Sequence, residues 1–119
     1  MLTTLMFGAF ASLASLHAIA DEPSYVSWIR VSDLMKTCKG EKVWEQAYCV
    51  GYVVGVADVA NNDQTSLKIC VPKAVTQAQM TAVIVKYLEH HPEESQYAAF
   101  SSVRAALRDA FPCQPRLTM

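Results

Sequence analysis

The sequence predicts an all-α fold: a small four-helix bundle with a short first helix, stapled by two disulfides and preceded by a cleaved signal peptide. Three observations carry this expectation. Apolar residues recur at spacings of three and four along most of the chain after residue 30, the period of helices with a packed face. Four cysteines follow an N-terminal export pattern. No stretch alternates as a strand would, and there is no internal repeat or low-complexity segment.

The export pattern comes first. Residues 5–16 form an apolar run rich in Leu, Phe and Ala, and Ala18-Ile19-Ala20 is a small-x-small cleavage site before Asp21. The run is short for a bilayer span and a polar segment follows it, as in a secretory signal peptide. Met1-Leu2-Thr3-Thr4 holds no Lys or Arg, a departure from the usual basic start. The expected division is a signal peptide over residues 1–20 and one domain over residues 21–119, in the periplasm. The net charge of −1 offers no basic excess of the kind that nucleic acid or an anionic membrane surface requires.

Cys38, Cys49, Cys70 and Cys113 all fall in the mature segment. An even number in a small exported domain reads as two disulfides. A metal site is the competing reading, but it usually uses close pairs such as C-x-x-C, and no two cysteines here lie so near.

The first helix is expected over about residues 30–38, capped by Ser32 and closed by Lys39-Gly40. The second runs from Glu41 or Val43 to Ala60. Its predicted packed stripe is Val43, Ala47, Val50, Val54 and Ala57, with a second apolar face of Trp44, Tyr48, Tyr52 and Val59. Such a helix is apolar nearly all round, the mark of a central, buried element. Asn61-Asn62-Asp63 should break it, and residues 61–75 should form a loop. Thr76-x-x-Gln79 is a capping-box pattern opening the third helix, with Met80, Val83, Ile84, Tyr87 and Leu88 as its stripe. Pro92, with Glu93 and Glu94 at the positive end, should open the fourth, which would face inward with Tyr97, Phe100, Val103, Leu107, Ala110 and Phe111.

That order favours one of the three disulfide pairings. Helices three and four form an antiparallel hairpin, so Cys70, before one, lies beside Cys113, after the other. Cys38 and Cys49 remain, and would clamp the short first helix to the second.

No constellation looks catalytic, and no metal or cofactor is expected. The disulfides would leave no thiol for a Cys–His pair. His90 and His91 sit in a polar corner, where one should cap the fourth helix. Glu93 and Glu94 are explained by the helix dipole. Gly51-x-x-x-Gly55 permits close backbone approach, expected first within the chain and otherwise from a second copy. Asp58 lies near its helix's negative end, so a hydrogen-bond partner is expected, such as backbone N–H groups near Thr76. Trp28, Trp44, Tyr48 and Tyr52 are expected in the core.

The ordered set Cys49-x-Gly51-Tyr52-x-x-Gly55-Val56-x-Asp58, Cys70-x-Pro72, Gln79, Lys86-Tyr87-Leu88-x-x-His91-Pro92-Glu93, Ala105-Ala106-Leu107 and Phe111-Pro112-Cys113 resembles the Rap/Tai family of type VI secretion immunity proteins. The resemblance spans about residues 33–113. It implies a small helical periplasmic protein, often dimeric, that binds and blocks a cell-wall-degrading amidase injected by sister cells, with no turnover. The matching positions look like scaffold, so the contact surface is expected in the 61–69 and 89–95 segments, with Asn62, Asp63, Gln64, His90, His91, Glu93 and Glu94 as candidates.

Two other classes compete. A periplasmic acid-stress chaperone can also be small, helical and disulfide-bonded, but it needs acid-triggered exposure of apolar surface and this chain has few histidines. A hydrolase or thiol oxidoreductase lacks its C-x-x-C or free nucleophile here.

Overall fold

A computed structural model gives the fold of residues 28–114, and the expected signal peptide lies outside these described residues. Five helices follow one another: α1 Val31–Cys38, α2 Val43–Asn62, α3 Gln64–Leu67, α4 Gln77–His90 and α5 Ala99–Ala110, with a single 3-10 turn at Pro92–Glu94. There is no strand among the described residues, only two isolated bridges, Arg30 with Ala98 and Ile69 with Pro112. The architecture is the all-α bundle expected, with α2, α4 and α5 as its long members. The one-turn α3 is additional, lying inside what reads as loop.

One buried cluster joins every main helix. Val31 and Leu34 come from α1, Val53, Val56, Ala57 and Ala60 from α2, Met80, Ile84 and Leu88 from α4, and Ala99, Val103, Ala106 and Leu107 from α5. Ile69, fully buried, pins the segment after α3 to the same core.

Disulfides join Cys38 to Cys49 and Cys70 to Cys113, with Cα atoms 5.0 and 4.9 Å apart. This is the pairing that the helix order favours. The second is held in register by backbone bonds: Cys70 N–H donates to Phe111 O and Cys113 N–H to Lys68 O.

The start of α1 differs from expectation. Its N-cap is Arg30, not Ser32, because the free N–H groups of the first turn have non-local partners. Val31 N–H donates to Tyr97 O at 3.0 Å and Ser32 N–H to Ser95 O at 2.9 Å, while Ala99 N–H donates back to Ile29 O at 2.9 Å. The same pairing holds residue 98 extended. It therefore stops Pro92 from opening a continuous helix, and α5 begins only at Ala99. Gly40 is not in a left-handed cap. It makes room for the Glu45 side chain, whose carboxylate accepts the Lys42 N–H at the start of α2.

The largest correction concerns α2. It packs against α1, α4 and α5, yet only the face of Cys49, Val53, Val56, Ala57 and Ala60 is buried. Val43 is 83% exposed, Trp44 61% and Tyr48 43%, and Val59 is open too. Trp28, 89% exposed, also lies outside the core. On α4, Met80, Ile84 and Leu88 face inward as expected while Val83 does not, and on the other side of the corner Tyr97 and Phe100 are exposed. Thr76 does cap α4, its hydroxyl accepting Gln79 N–H while Gln79 Oε1 accepts Thr76 N–H.

Candidate functional site

The surface around the α4–α5 corner is built from the end of α4. His90 and His91 both place Nδ1 2.7 Å from a backbone oxygen one turn back, of Lys86 and Tyr87 respectively. A carbonyl only accepts, so each Nδ1 carries a proton and donates. The two imidazoles thus cap the C-terminus of α4, rather than the start of the following helix. The His91 ring also stacks on Tyr87, centroids 3.8 Å apart and planes 18° apart.

Beside this stack lies a cavity of about 380 Å³ lined by Val83, Lys86, Tyr87, His90, His91, Ala106, Asp109 and Ala110. A second hollow, of about 430 Å³, shares Tyr87, His91 and Asp109 and adds Ala105 and Arg108. The two form one groove between α4 and α5, with an apolar floor of valine and alanine and charges of both signs at its rim. Glu93 and Glu94 belong to the 3-10 turn, not to the first turn of α5. Burial, followed by the charges of Glu94 and Asp109, raises the Tyr87 phenol above its ordinary value of 10.0. The Glu94 Oε2 is buried without a hydrogen-bond partner.

The other candidates sit elsewhere. Asn62 donates through Nδ2 to Asp58 O, Asp63 caps α3 by accepting Ser66 N–H, and Gln64 O receives Lys68 N–H. Residues 68–70 pair with 111–113 beyond the C-terminus of α5, whereas the histidine corner precedes its N-terminus. About 18 Å of helix separates these ends, so the structure does not bring the two candidate sets together. Sequence reasoning also missed Tyr87, Lys86, Asp109 and Arg108 as groove residues. For the first two the signal exists, since each lies one turn before a capping histidine. For Asp109 and Arg108 it required the register of α5.

A third surface carries the glycines. No atom of the described residues lies within 4 Å of a Cβ built on Gly51 or Gly55, so the expected close approach within the chain does not occur. Instead they line an open hollow with Tyr52, Val56, Val59 and Phe100. Asp58 is exposed, and its carboxylate has no hydrogen-bond or ion-pair partner among the described residues. The Thr76 N–H, expected to serve it, donates to Gln79 Oε1 instead.

All four cysteines are in disulfides, and no group of three or more His, Cys, Asp or Glu residues is placed to hold a metal ion among the described residues. No helix among them is long and apolar enough to cross a membrane. A model of the Rap1a immunity proteins matches residues 30–113, most of the chain and every helix among the described residues. The chain belongs to the Rap1a immunity protein family. Membership makes it an immunity protein directed at a secreted effector protein, an inhibitor by family rather than an enzyme. No curated protein and no solved structure matches it.

Proposed function

We propose that this Rap1a-family protein acts in the periplasm, after loss of residues 1–20, by binding and occluding a type VI secretion peptidoglycan amidase. The observation that supports a contact site is the α4–α5 groove in a member of an immunity family. An apolar floor rimmed by a few oriented polar groups is what a protein partner's protruding side chains require. His90 and His91 line the groove, and Glu93 and Glu94 stand in the 3-10 turn that follows α4. Asn62, Asp63 and Gln64 form a second, separate contact region at the far end of the bundle. Two disulfides suit an oxidising compartment.

The test is co-expression in a bacterial periplasm with the amidase encoded beside this gene. Protection from lysis is expected with the parent protein, and its loss when the groove is altered by His90→Ala with Asp109→Ala. Equal lysis with and without the parent protein overturns the reading for that enzyme.

A further inference from the structure

The two hollows between α4 and α5 share Tyr87, His91 and Asp109. Lys86 lines only the first and Arg108 only the second, so the cations stand at opposite ends and a carboxylate stands between them. Asp109 is exposed and has no hydrogen-bond or ion-pair partner among the described residues. The middle of the groove is thus an unpaired carboxylate beside two stacked rings, over a floor of valine and alanine. We propose that this groove seats an arginine side chain of the effector, its stem on the floor and its guanidinium between the Tyr87–His91 stack and Asp109. The inference rests on the groove being the contact surface of the immunity protein.

The sign of the charge follows from what the walls still have to offer. The Nδ1–H groups of His90 and His91 are committed to backbone carbonyls, so they do not serve an anionic guest. The Tyr87 phenol is raised first by burial, and the charges that add to this, of Glu94, Asp109 and Glu93, are all negative. A cation close by would lower it instead. Lys86 and Arg108 therefore leave the middle of the groove negative.

Shape selects arginine over lysine. A guanidinium is planar, stacks on aromatic faces and makes two parallel hydrogen bonds to one carboxylate. Tyr87 and His91 each turn one face to the other at 3.8 Å, and both rings line both hollows, so the pair keeps an open side for a third plane. The ammonium of lysine is a strongly hydrated point charge and gains only the ion pair. The methylene stem of arginine lies along the apolar floor, as long cationic side chains do elsewhere. An acidic guest would have to go to one end, at Lys86 or Arg108, and give up the stack.

The experiment is an amide NMR titration of the protein purified from the periplasm with both disulfides formed. The probe is N-acetyl-arginine methylamide, added at constant ionic strength to about 100 millimolar. Signals of Tyr87, His91 and Asp109 should move together, with a Kd of about 10 millimolar. The norleucine analogue, a stem without charge, should leave them in place, and the lysine and glutamate analogues should bind at least about threefold more weakly. Asp109→Asn should keep the parent's Tm and weaken the arginine probe at least about fivefold, while Asp109→Glu should retain most of the binding. With the amidase encoded beside this gene, one arginine-to-alanine variant of the enzyme should raise Kd about tenfold and have no further effect on Asp109→Asn. Groove signals that stay still, that move as far with the norleucine or glutamate analogue, or losses that simply add at every arginine of the enzyme, overturn the proposal. Protection from lysis beside still groove signals removes the arginine seat and leaves the immunity reading intact. Lysis despite arginine binding does the reverse for that enzyme.

Discussion

His91 engages Tyr87 twice: its ring stacks on the tyrosine ring at 3.8 Å and its Nδ1–H donates to the tyrosine carbonyl at 2.7 Å. One side chain thereby ends α4 and fixes one wall of the groove. His91→Ala should lower stability by about 1–2 kcal/mol, the range for a lost cap with its contact. In a domain of this size that is roughly 4–8 °C in Tm per kcal/mol. A Tm within a degree of the parent's would show that the cap is not structural.

His90 makes the same capping bond but is exposed. Its replacement by alanine should cost less stability than the His91 change. Under the proposed function it should nonetheless weaken effector binding by about tenfold, or ~1.4 kcal/mol, as measured by calorimetry. Binding equal to the parent's would remove His90 from the contact surface.

The two disulfides should differ in value. Chain-entropy estimates give about 3 kcal/mol for closing residues 38–49 and about 4 kcal/mol for closing 70–113. Cys70→Ser with Cys113→Ser should therefore be the more damaging pair in denaturant titrations. Reduction of the parent should reproduce the sum of the two losses and unfold most of the protein at 37 °C, since such domains have only about 5–15 kcal/mol in all.

Ser102 is nearly inaccessible on the inner face of α5, and its hydroxyl has no hydrogen-bond partner. A buried polar group in that state is a net cost. Ser102→Ala should be neutral or stabilising by up to about 1 kcal/mol in a denaturant titration. Destabilisation by that amount would mean the hydroxyl is satisfied.

Two phenols resist ionisation in the folded state. Burial first, then the neighbouring Tyr48, raises Tyr52, and burial first, then Glu94 and Asp109, raises Tyr87. Below the ordinary value of 10.0 both states are protonated and stability is unaffected. Above it the unfolded chain ionises first, so stability falls as pH rises until the folded phenols follow. The denaturation midpoint should drop from about pH 9.5 upward, and Tyr87→Phe should flatten the drop. A parent profile that stays level to about pH 11 contradicts this.

Much of the fold is legible from local chemistry. The Thr76/Gln79 box, the inward stripe of Met80, Ile84 and Leu88, and the cysteine pairing all depend on spacing within or between neighbouring helices. What is not legible depends on distant partners. Ser32 looks like a cap, but the carbonyls of Ser95 and Tyr97 do that work from across the chain. Pro92 and its glutamates look like a helix start, but pairing with residues 29–32 interrupts it. α2 is apolar around its whole circumference, so periodicity could not say which side faces inward. The corner was visible as His90, His91, Glu93 and Glu94, while the groove beside it depends on how α5 lies against α4.

The bonds between residues 29–32 and 95–99 also order events in time. The segment made earliest in this domain is stitched to one made near its end, and α5 and Cys113 come later still. A chain emerging N-terminus first can form α2 and clamp α1 to it through Cys38–Cys49, but the first turn of α1 has no backbone partners and Cys70 has no mate. Such long-range closure is slow relative to local helix formation. The core therefore stays unclosed until the segment from Ser95 to Cys113 arrives, the condition in which a polypeptide threads through a narrow pore.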